Sequence, residues 1–284
     1  AKEVIRISDV ILYILDARFV EETRNRDLER YMKEDGKEVI TVLNKCDLVN
    51  VADMQHQKNL SKLKPYVFLS TKTNLGRKKL RDQIKITIKK LRQNKSIFSE
   101  SEIKDEEGLI KVKVGIGKER LLKITNKAHV GVVGYPNTGK SSIINMLTGR
   151  SSAKTSLKAG FTKGIQKIRF SKDILILDTP GVIEVSEITV KNDYLLAKHI
   201  KVGAKTYDSV KNPELIVQYL LKTYKKQIES FYHIDSKSDV EILLEQLGRQ
   251  RGYLTKGNKV DTVRTAKLIL KDWQSGAIVK QKRS

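Results

Sequence analysis

Hydrophobic residues along this chain fall into short runs that are separated by polar and charged segments. Six of the runs have the length and the Val/Ile/Leu content of β-strands, and several are almost continuously apolar, as expected for parallel strands covered on both faces. Helix-like segments lie between many of them, which predicts an α/β fold with a doubly wound, mostly parallel six-stranded sheet. The six runs are residues 10–15, 39–43, 66–69, 130–133, 165–170 and 174–177.

One long helix and one hairpin are predicted between the third and fourth runs. Residues 75–92 carry apolar side chains at helical spacing, and the remaining surface of this helix is crowded with lysine and arginine. Residues 111–114 and 121–124 are predicted to pair as a hairpin within a joining segment. The apolar stripe of the helix consists of Leu80, Ile84, Ile88 and Leu91.

The last third of the chain has a helical pattern. Asn212-Pro213 is a favourable helix start, Ser238-Asp239-Val240-Glu241 fits a capping box, and Asp261 can cap a last helix. We therefore predict an α/β domain over residues 1–190 and a small all-α domain over residues 191–284. The second carries 19 Lys/Arg against 10 Asp/Glu, so we predict that this basic domain binds RNA. One face of the last helix is expected to present Val263, Ala266, Ile269, Leu270 and Trp273.

Composition excludes several classes of protein. A single cysteine rules out an internal disulfide framework and a multi-cysteine zinc site, and no apolar run is long enough to span a membrane. A net charge of +23 over 284 residues predicts a polyanionic partner such as nucleic acid, with a membrane surface as the weaker option. With no visible signal peptide, we expect a cytoplasmic setting.

The segment Gly134-Tyr135-Pro136-Asn137-Thr138-Gly139-Lys140-Ser141 lies between the fourth apolar run and a helix-like stretch, the context of a phosphate-binding loop. Glycines in such a loop let backbone N–H groups face a phosphate, and the helix N-terminus adds positive potential. Lys140 is expected to reach the terminal phosphates, and Ser141 to supply an oxygen to Mg²⁺.

Asp178-Thr179-Pro180-Gly181 follows the last strand-like run and fits a D-x-x-G pattern. The pattern alone is not specific, because residues 105–108 fit it too, but only the later copy follows a strand downstream of the phosphate loop. Asp178 can therefore contribute to the Mg²⁺ shell, and Gly181 can donate its N–H to a γ-phosphate.

Asn44-Lys45-Cys46-Asp47 ends the second run and matches a guanine-specificity motif. The Asp47 carboxylate can accept both N–H donors on the guanine edge, which adenine does not present. With adenine the carboxylate would stay unpaired, at a cost of about 1–3 kcal/mol, so an ATPase is disfavoured. Cys46 is predicted to be a small buried apolar group.

The order of these motifs is unusual, because an ordinary GTPase has the phosphate loop before the guanine motif. Together with Asp16-Ala17-Arg18 after the first run, this order resembles the circularly permuted GTPases of ribosome assembly, and most closely their YlqF (ribosome biogenesis GTPase A) branch. Phe19-Val20 stands where that branch commonly has a proline. The resemblance implies a P-loop GTPase sheet with permuted strand order. It extends to Gly257…Asp261-x-x-Arg264-x-Ala266…Ile269-Leu270…Gly276.

The resemblance also implies GTP or GDP, Mg²⁺ and K⁺ as cofactors, and a role for each matching residue. Asn137 would bind K⁺, and Thr162 would be the switch threonine on Mg²⁺ together with Ser141 and Asp178. The implied catalytic residues are Lys140, Thr162, Gly181 and Asn137. The implied guanine-binding residues are Asn44, Lys45, Asp47, Ser70, Thr71 and Lys72, and the phosphate-binding ones are Asn137, Thr138, Gly139, Lys140, Ser141, Ser142 and Gly181.

Val182 follows Gly181 where many small GTPases have a glutamine that orients the attacking water, so slow intrinsic turnover is expected. Family analogy implies that K⁺ and the ribosomal particle stimulate hydrolysis.

We predict a GTP-binding and GTP-hydrolysing assembly factor of the large ribosomal subunit that binds rRNA and switches with nucleotide state. The alternative is a GTP-gated RNA-binding scaffold with negligible catalysis. The expected partners are ribosomal RNA and the large-subunit precursor, with no membrane and no obligate protein partner.

Overall fold

The computed structural model describes residues 2–56, 58–98, 109–113, 119–123, 127–149, 166–178, 193–203 and 205–278. The chain divides into two compact units. Among the described residues, the first unit ends at residue 178 and the second begins at residue 193. In these ranges no helix combines the length and the apolar character that crossing a lipid bilayer requires.

Strands and helices alternate in the first unit. Its strands are β1 (Val10–Asp16), β2 (Glu38–Asn44), β3 (Tyr66–Phe68), β4 (Leu109–Lys113), β5 (Glu119–Lys123), β6 (Ala128–Gly134), β7 (Gln166–Ser171) and β8 (Ile174–Asp178). Its helices are α1 (Lys2–Ile7), α2 (Val20–Thr23), α3 (Arg26–Glu34), α4 (Val51–Gln55), α5 (Lys58–Ser61), α6 (Arg77–Phe98) and α7 (Lys140–Thr148), and a 3₁₀ turn covers Cys46–Leu48.

A six-stranded sheet with the order β3-β2-β1-β6-β8-β7 lies at the centre of this unit. Neighbouring strands are parallel except β7, which is antiparallel to β8. These are the six predicted strands, so the α/β fold with a mostly parallel sheet is confirmed. β4 and β5 form a separate antiparallel hairpin that overlaps the predicted pair; residues 114 and 124 of that prediction lie outside the described residues.

Two apolar layers cover the sheet, one on each face. Leu12 and Ile14 pack with α6 and α7 on one face, while Ile11, Tyr13 and Leu15 pack with α1, α3, α4 and α5 on the other. Every residue of β1 is buried, because a central parallel strand is covered on both sides. The predicted stripe of α6 faces the first layer, with Leu80, Ile84 and Ile88 buried and Leu91 partly buried.

The strand order shows how the two parts of the chain meet. β1, β2 and β3 precede β6, β7 and β8 in sequence, and the two groups join along the β1–β6 pair, with Val10 opposite Val130 and Ile14 opposite Gly134. Because β2, β1 and β6 are parallel, their carboxyl ends lie at one edge of the sheet. The loops that follow these three strands are therefore neighbours, although β2 and β6 are far apart in sequence.

In its described residues the second unit consists of helices, a 3₁₀ turn at Tyr207–Ser209 and one hairpin of two-residue strands. Asp261 caps its last helix as predicted, because the Asp261 side chain accepts a hydrogen bond from the Arg264 N–H at 2.9 Å. Its elements are α8 (Asp193–Lys201), α9 (Pro213–Tyr232), α10 (Val240–Gln250), β9 (Leu254–Thr255), β10 (Lys259–Val260) and α11 (Thr262–Ser275).

Two details predicted for the second unit are wrong. The N-cap of α10 is Asp239 rather than Ser238, because Ser238 has a left-handed backbone (φ 69°), whereas an N-cap residue needs an extended one. On α11, Ala266, Ile269, Leu270 and Trp273 are buried as expected, but Val263 is 43% exposed because it lies in the first turn, at the margin of the apolar stripe.

Candidate functional site

The loop between β6 and α7 has the backbone of a cradle for a small anion. Asn137 (φ 57°) and Gly139 (φ 97°) both adopt left-handed conformations, and α7 begins at the next residue, Lys140. The Tyr135 carbonyl closes the loop by accepting hydrogen bonds from Thr138 Oγ1 at 2.8 Å and from Lys140 Nζ at 2.9 Å. The loop thus gathers a lysine amine and the N-terminal amides of a helix at one point.

The loop after β2 is joined directly to this cradle. Asn44 Nδ2 donates a 2.7 Å hydrogen bond to the carbonyl oxygen of Thr138, although the two residues are 94 positions apart in the chain. A Cβ at Gly139 would lie only 2.3 Å from Asn44 Nδ2, so the two loops meet where only glycine fits. Asn44 Oδ1 is buried without a hydrogen-bond partner in the described part of the protein, and this atom would gain from a bound donor.

Asp47 is held from the opposite side by the loop after β3. Ser70 Oγ donates to Asp47 Oδ1 at 2.7 Å, and Ser70 Oγ in turn accepts from the Thr73 N–H at 3.1 Å. The Cys46 N–H donates to the Leu69 carbonyl at 3.1 Å, which fixes the 3₁₀ turn against the end of β3. Ser70 therefore orients the Asp47 carboxylate, and Leu69 fixes the backbone beside it.

A buried ionic cluster lies at the end of β1, between the other two loops. Asp16 Oδ2 contacts Lys45 Nζ and Arg18 Nη2, each at 2.8 Å, and Asp16 Oδ1 accepts from Arg18 Nε at 3.0 Å. Burial by itself raises the pKa of the Asp16 carboxyl, but the Lys45 ammonium and the Arg18 guanidinium outweigh it and lower that pKa to about 2. Burial lowers the pKa of the Lys45 ammonium, and the Asp16 charge opposes that shift. Asp16 is thus a carboxylate at neutral pH.

The structure brings most of the predicted guanine and phosphate residues together. Asn44 is hydrogen-bonded to the cradle, Lys45 and Asp47 follow it in the same loop, and Ser70 contacts Asp47. Ser141 and Ser142 form the first turn of α7 beside Lys140. Thr71 and Lys72 follow Ser70 in its loop, with Lys72 exposed and neither residue hydrogen-bonded to Asp47. Cys46 is buried, as predicted.

The predicted metal ligands are only partly within the described residues. Asp178 ends β8, the parallel neighbour of β6, and therefore lies at the same sheet edge as the cradle. Thr162 and Gly181 lie outside the described residues. A hydroxyl on Ser141 and a carboxylate on Asp178 are hard oxygen donors, and this donor chemistry fits Mg²⁺.

Sequence reasoning did not foresee the role of Asp16 in the site. In the sequence, Asp16-Ala17-Arg18 indicated only a resemblance to circularly permuted GTPases. The sequence shows only that Asp16 is a polar residue at the end of an apolar run, and its pairing with Asn44 in the parallel register is seen only in the structure.

A glycine-containing loop between a buried parallel strand and a helix N-terminus, with a lysine at its base, defines the class of P-loop nucleotide-binding proteins. In this chain the strand order is permuted relative to an ordinary member of the class. Residues 129–245 match the family model described as 50S ribosome-binding GTPase.

The chain is similar to curated proteins that are longer than itself. It is 38% identical over 274 residues to an uncharacterized GTP-binding protein of Methanocaldococcus jannaschii, a match that covers 95% of this chain and 62% of that protein. It is 33% identical over 282 residues to nucleolar GTP-binding protein 2 of Saccharomyces cerevisiae, covering 97% of this chain and 51% of the yeast protein. The chain thus spans about half to three fifths of these relatives.

The fold also matches a solved structure. GNP-bound YlqF from T. maritima superposes with a TM-score of 0.60 at 23% identity, covering 97% of this chain and 91% of that chain. Residues 129–245 thus match the 50S ribosome-binding GTPase model, and the chain has the fold of YlqF.

The contact between Gly139 and Asn44 predicts different costs for two glycine substitutions. Gly139→Ala and Gly149→Ala both place a side chain at a left-handed position, but nothing lies within 4 Å of a Cβ at Gly149. We expect Gly149→Ala to cost about 1 kcal/mol of unfolding free energy through backbone strain. Gly139→Ala should cost at least about 1 kcal/mol more, because its methyl group displaces the Asn44 amide. Denaturant unfolding of both variants measures the difference, and equal losses would contradict the contact.

Proposed function

We propose that this protein binds GTP and GDP, together with Mg²⁺, between the guanine loop (residues 44–47) and the phosphate loop (residues 134–141), and that it hydrolyses GTP. The observation that carries the proposal is the 2.7 Å hydrogen bond from the Asn44 amide to the Thr138 carbonyl. It makes the two loops one site, so that a single ligand can contact both. A nucleotide is the ligand whose base and phosphates match the two chemistries.

Guanine selectivity follows from the Asp47 carboxylate. Ser70 Oγ occupies one side of Asp47 Oδ1, and a carboxylate retains further acceptor positions for the two N–H donors on the guanine edge. Adenine lacks those donors, so it would leave the remaining acceptor positions of the carboxylate without a partner. Ser70 supports this carboxylate through its hydroxyl group, and Lys45 precedes it in the same turn.

Phosphate binding is assigned to the cradle. Lys140 is 7% exposed and its amine lies on the Tyr135 carbonyl, within the same loop that would surround the phosphates. We propose that a phosphate oxygen takes the place of that carbonyl, with the amides of residues 137–142 as additional donors. Mg²⁺, when bound, neutralises charge on the phosphate oxygens, and Ser141, Thr162 and Asp178 are the residues proposed to hold it. Gly181 is proposed to donate its N–H to the γ-phosphate.

Hydrolysis is expected to be slow without a further component. Val182 follows Gly181 and cannot orient the attacking water. We propose that Asn137, which adopts a left-handed conformation at the cradle, supplies its side-chain oxygen to a K⁺ ion beside the phosphates. A monovalent cation there would offset charge that develops on the phosphates in the transition state.

The biological role we propose is assembly of the large ribosomal subunit, with rRNA as partner and nucleotide state as the switch. The family model, the nucleolar relatives and the net charge of +23 support this role. The alternative is a GTP-gated RNA-binding scaffold with negligible catalysis. Single-turnover hydrolysis measured on the ribosomal particle separates the two.

One surface of the first unit supports RNA binding in particular. Residues 77–93 of α6 carry eight basic side chains and one acidic one, whereas α3 on the opposite face of the sheet carries three of each. Lys78, Lys85 and Lys89 are exposed, and they lie on one side of α6 at helical spacing. Within the described residues none of the three takes part in an ion pair, so they are available for phosphates.

Asp47→Asn should change base preference. The asparagine amide would present N–H donors to the N–H donors of guanine, so GDP affinity should fall at least about tenfold. Xanthine carries a carbonyl oxygen in place of the exocyclic amine of guanine, so XDP affinity should rise. Competition of GDP, XDP and ADP against a fluorescent nucleotide measures this change. The control is Lys140→Ala, which should abolish binding of all three because it removes a phosphate contact. An unchanged GDP-to-XDP ratio in Asp47→Asn would remove Asp47 from the base site.

The cation assignment predicts faster GTP hydrolysis in K⁺ than in Na⁺ at equal ionic strength, and a further increase when the ribosomal particle is added. Asn137→Ala should lose the difference between the two cations because its side-chain oxygen is gone. Phosphate release measured in each salt checks the prediction. The same rate in both cations for the unsubstituted protein would rule out the assignment of Asn137.

Removing three charges from α6 should weaken RNA binding and its dependence on salt. For the triple variant Lys78→Gln, Lys85→Gln and Lys89→Gln, we expect the slope of log K against log salt to fall by about 2. The matched control removes three charges from α3 through Arg26→Gln, Arg30→Gln and Lys33→Gln, and should leave the slope unchanged. Titration of a large-subunit rRNA fragment at several salt concentrations gives both slopes. Equal slopes for the two variants would place the RNA elsewhere.

A further inference from the structure

Asp16 makes more polar contacts than its place at the end of a strand requires. Its side chain is fully buried and forms ion pairs with Lys45 and Arg18. In addition, Asp16 Oδ1 accepts a hydrogen bond from the Arg18 backbone N–H at 3.0 Å. Both carboxylate oxygens are therefore engaged. Arg18 is bound through two nitrogens at once, a bidentate geometry that fixes the carboxylate plane.

Lys45 is an unusual residue to find at the other end of this contact. It lies between Asn44 and the 3₁₀ turn that carries Asp47, and its backbone is left-handed (φ 61°), a conformation that costs a residue with a side chain about 1 kcal/mol or more. Such a conformation persists only when surrounding contacts determine it. The Lys45 side chain is 24% exposed, so without a partner its amine could reach solvent.

The β1 loop holds this turn at two points. The Ala17 N–H donates to the Asn44 carbonyl at 2.8 Å, which fixes the backbone just before Lys45. Asp16 then fixes the Lys45 side chain from the same loop. The two contacts lie on either side of Lys45, the residue with the left-handed backbone, and they restrict rotation of the turn.

Charge explains why a carboxylate is needed at this position. Lys45 and Arg18 both contact Asp16 Oδ2 at 2.8 Å, so without the carboxylate two cations would face each other in a desolvated place. Repulsion would drive the more exposed lysine outward. The turn that presents Asn44 and Asp47 would then lose the contact that orients it.

We propose that Asp16 is a positioning residue of the guanine site, which acts through Lys45 and is itself held by Arg18. Asp16 does not touch the nucleotide in this proposal. It sets the orientation of the turn that does, and thereby the affinity for guanine nucleotides. The proposal rests on the proposed nucleotide site, and it gives the Asp-Ala-Arg segment a physical role in that site.

A double-mutant cycle on GDP affinity tests the proposal. Asp16→Asn should weaken GDP binding about tenfold, and Lys45→Met should weaken it by a similar factor, because both break the same contact. The double variant should then bind GDP as tightly as whichever single variant binds it less tightly, because both changes remove the same contact. Fluorescent GDP titration gives the dissociation constants, and circular dichroism at the same temperature shows that each variant is folded.

Lys37→Met provides a matched stability control. Lys37 is also a buried lysine next to β2, but at the opposite end, where its amine donates to the Arg6 and Ser8 carbonyls. Its replacement should lower the unfolding temperature and leave GDP affinity unchanged. A purely structural role of Asp16 would give the same result for Asp16→Asn.

A second pair of variants keeps the test decisive if Asp16→Asn does not fold. Arg18→Met should weaken GDP binding, and Arg18→Lys should restore part of the loss because it keeps a cation on the carboxylate. Full wild-type GDP affinity in Arg18→Met or Asp16→Asn would overturn the inference. So would a double variant whose loss of affinity equals the product of the losses of Asp16→Asn and Lys45→Met. Neither result would contradict the proposed nucleotide site. Failure of the unsubstituted protein to bind GDP would overturn both.

Discussion

The hydrogen bond between the Asn44 amide and the Thr138 carbonyl joins two segments that the chain keeps 94 residues apart. It can form only because β2, β1 and β6 are parallel neighbours, so that the loops at their carboxyl ends share one sheet edge. Gly139 allows the approach, since any side chain there would occupy the place of the Asn44 amide. The permuted order of motifs is thus compatible with a single site, because strand adjacency rather than sequence adjacency brings the parts together.

The middle strand of the three contributes more than spacing. β1 is buried along its whole length and ends in Asp16, which places a carboxylate between the guanine loop and the phosphate loop. Lys45 and Arg18 keep the pKa of this carboxyl low, so the charge persists at neutral pH. Ser70 holds Asp47 from the β3 side in the same way that Asp16 holds Lys45 from the β1 side. The guanine loop is therefore constrained from both of its neighbours.

Much of the fold could be predicted from the sequence because burial on both faces leaves a strong signal. The six strands coincide with nearly continuous Val/Ile/Leu runs, and the stripe of α6 follows from its spacing. Local geometry was harder to predict. The capping box pattern did not reveal that Ser238 is left-handed and that Asp239 caps α10, and Val263 fitted the helical period although it is 43% exposed.

The candidate site divides in a similar way. Motif spacing was sufficient to nominate Asn44, Asp47 and Lys140, because their chemistry depends on residue type in a short segment. The contacts of Asp16 could not be predicted by spacing, because they depend on which strands are neighbours and on the register between Asp16 and Asn44. Long-range pairing of this kind carries no local signature in one sequence.

The central claim is that one ligand contacts both loops, and a crystal structure of the protein with GDP and Mg²⁺ tests it most directly. The account predicts the exocyclic amine of guanine within about 2.7–3.2 Å of the Asp47 carboxylate, with a phosphate oxygen of the same molecule at that distance from Lys140 Nζ. A nucleotide seated on Lys140 with its base away from Asp47 would contradict it.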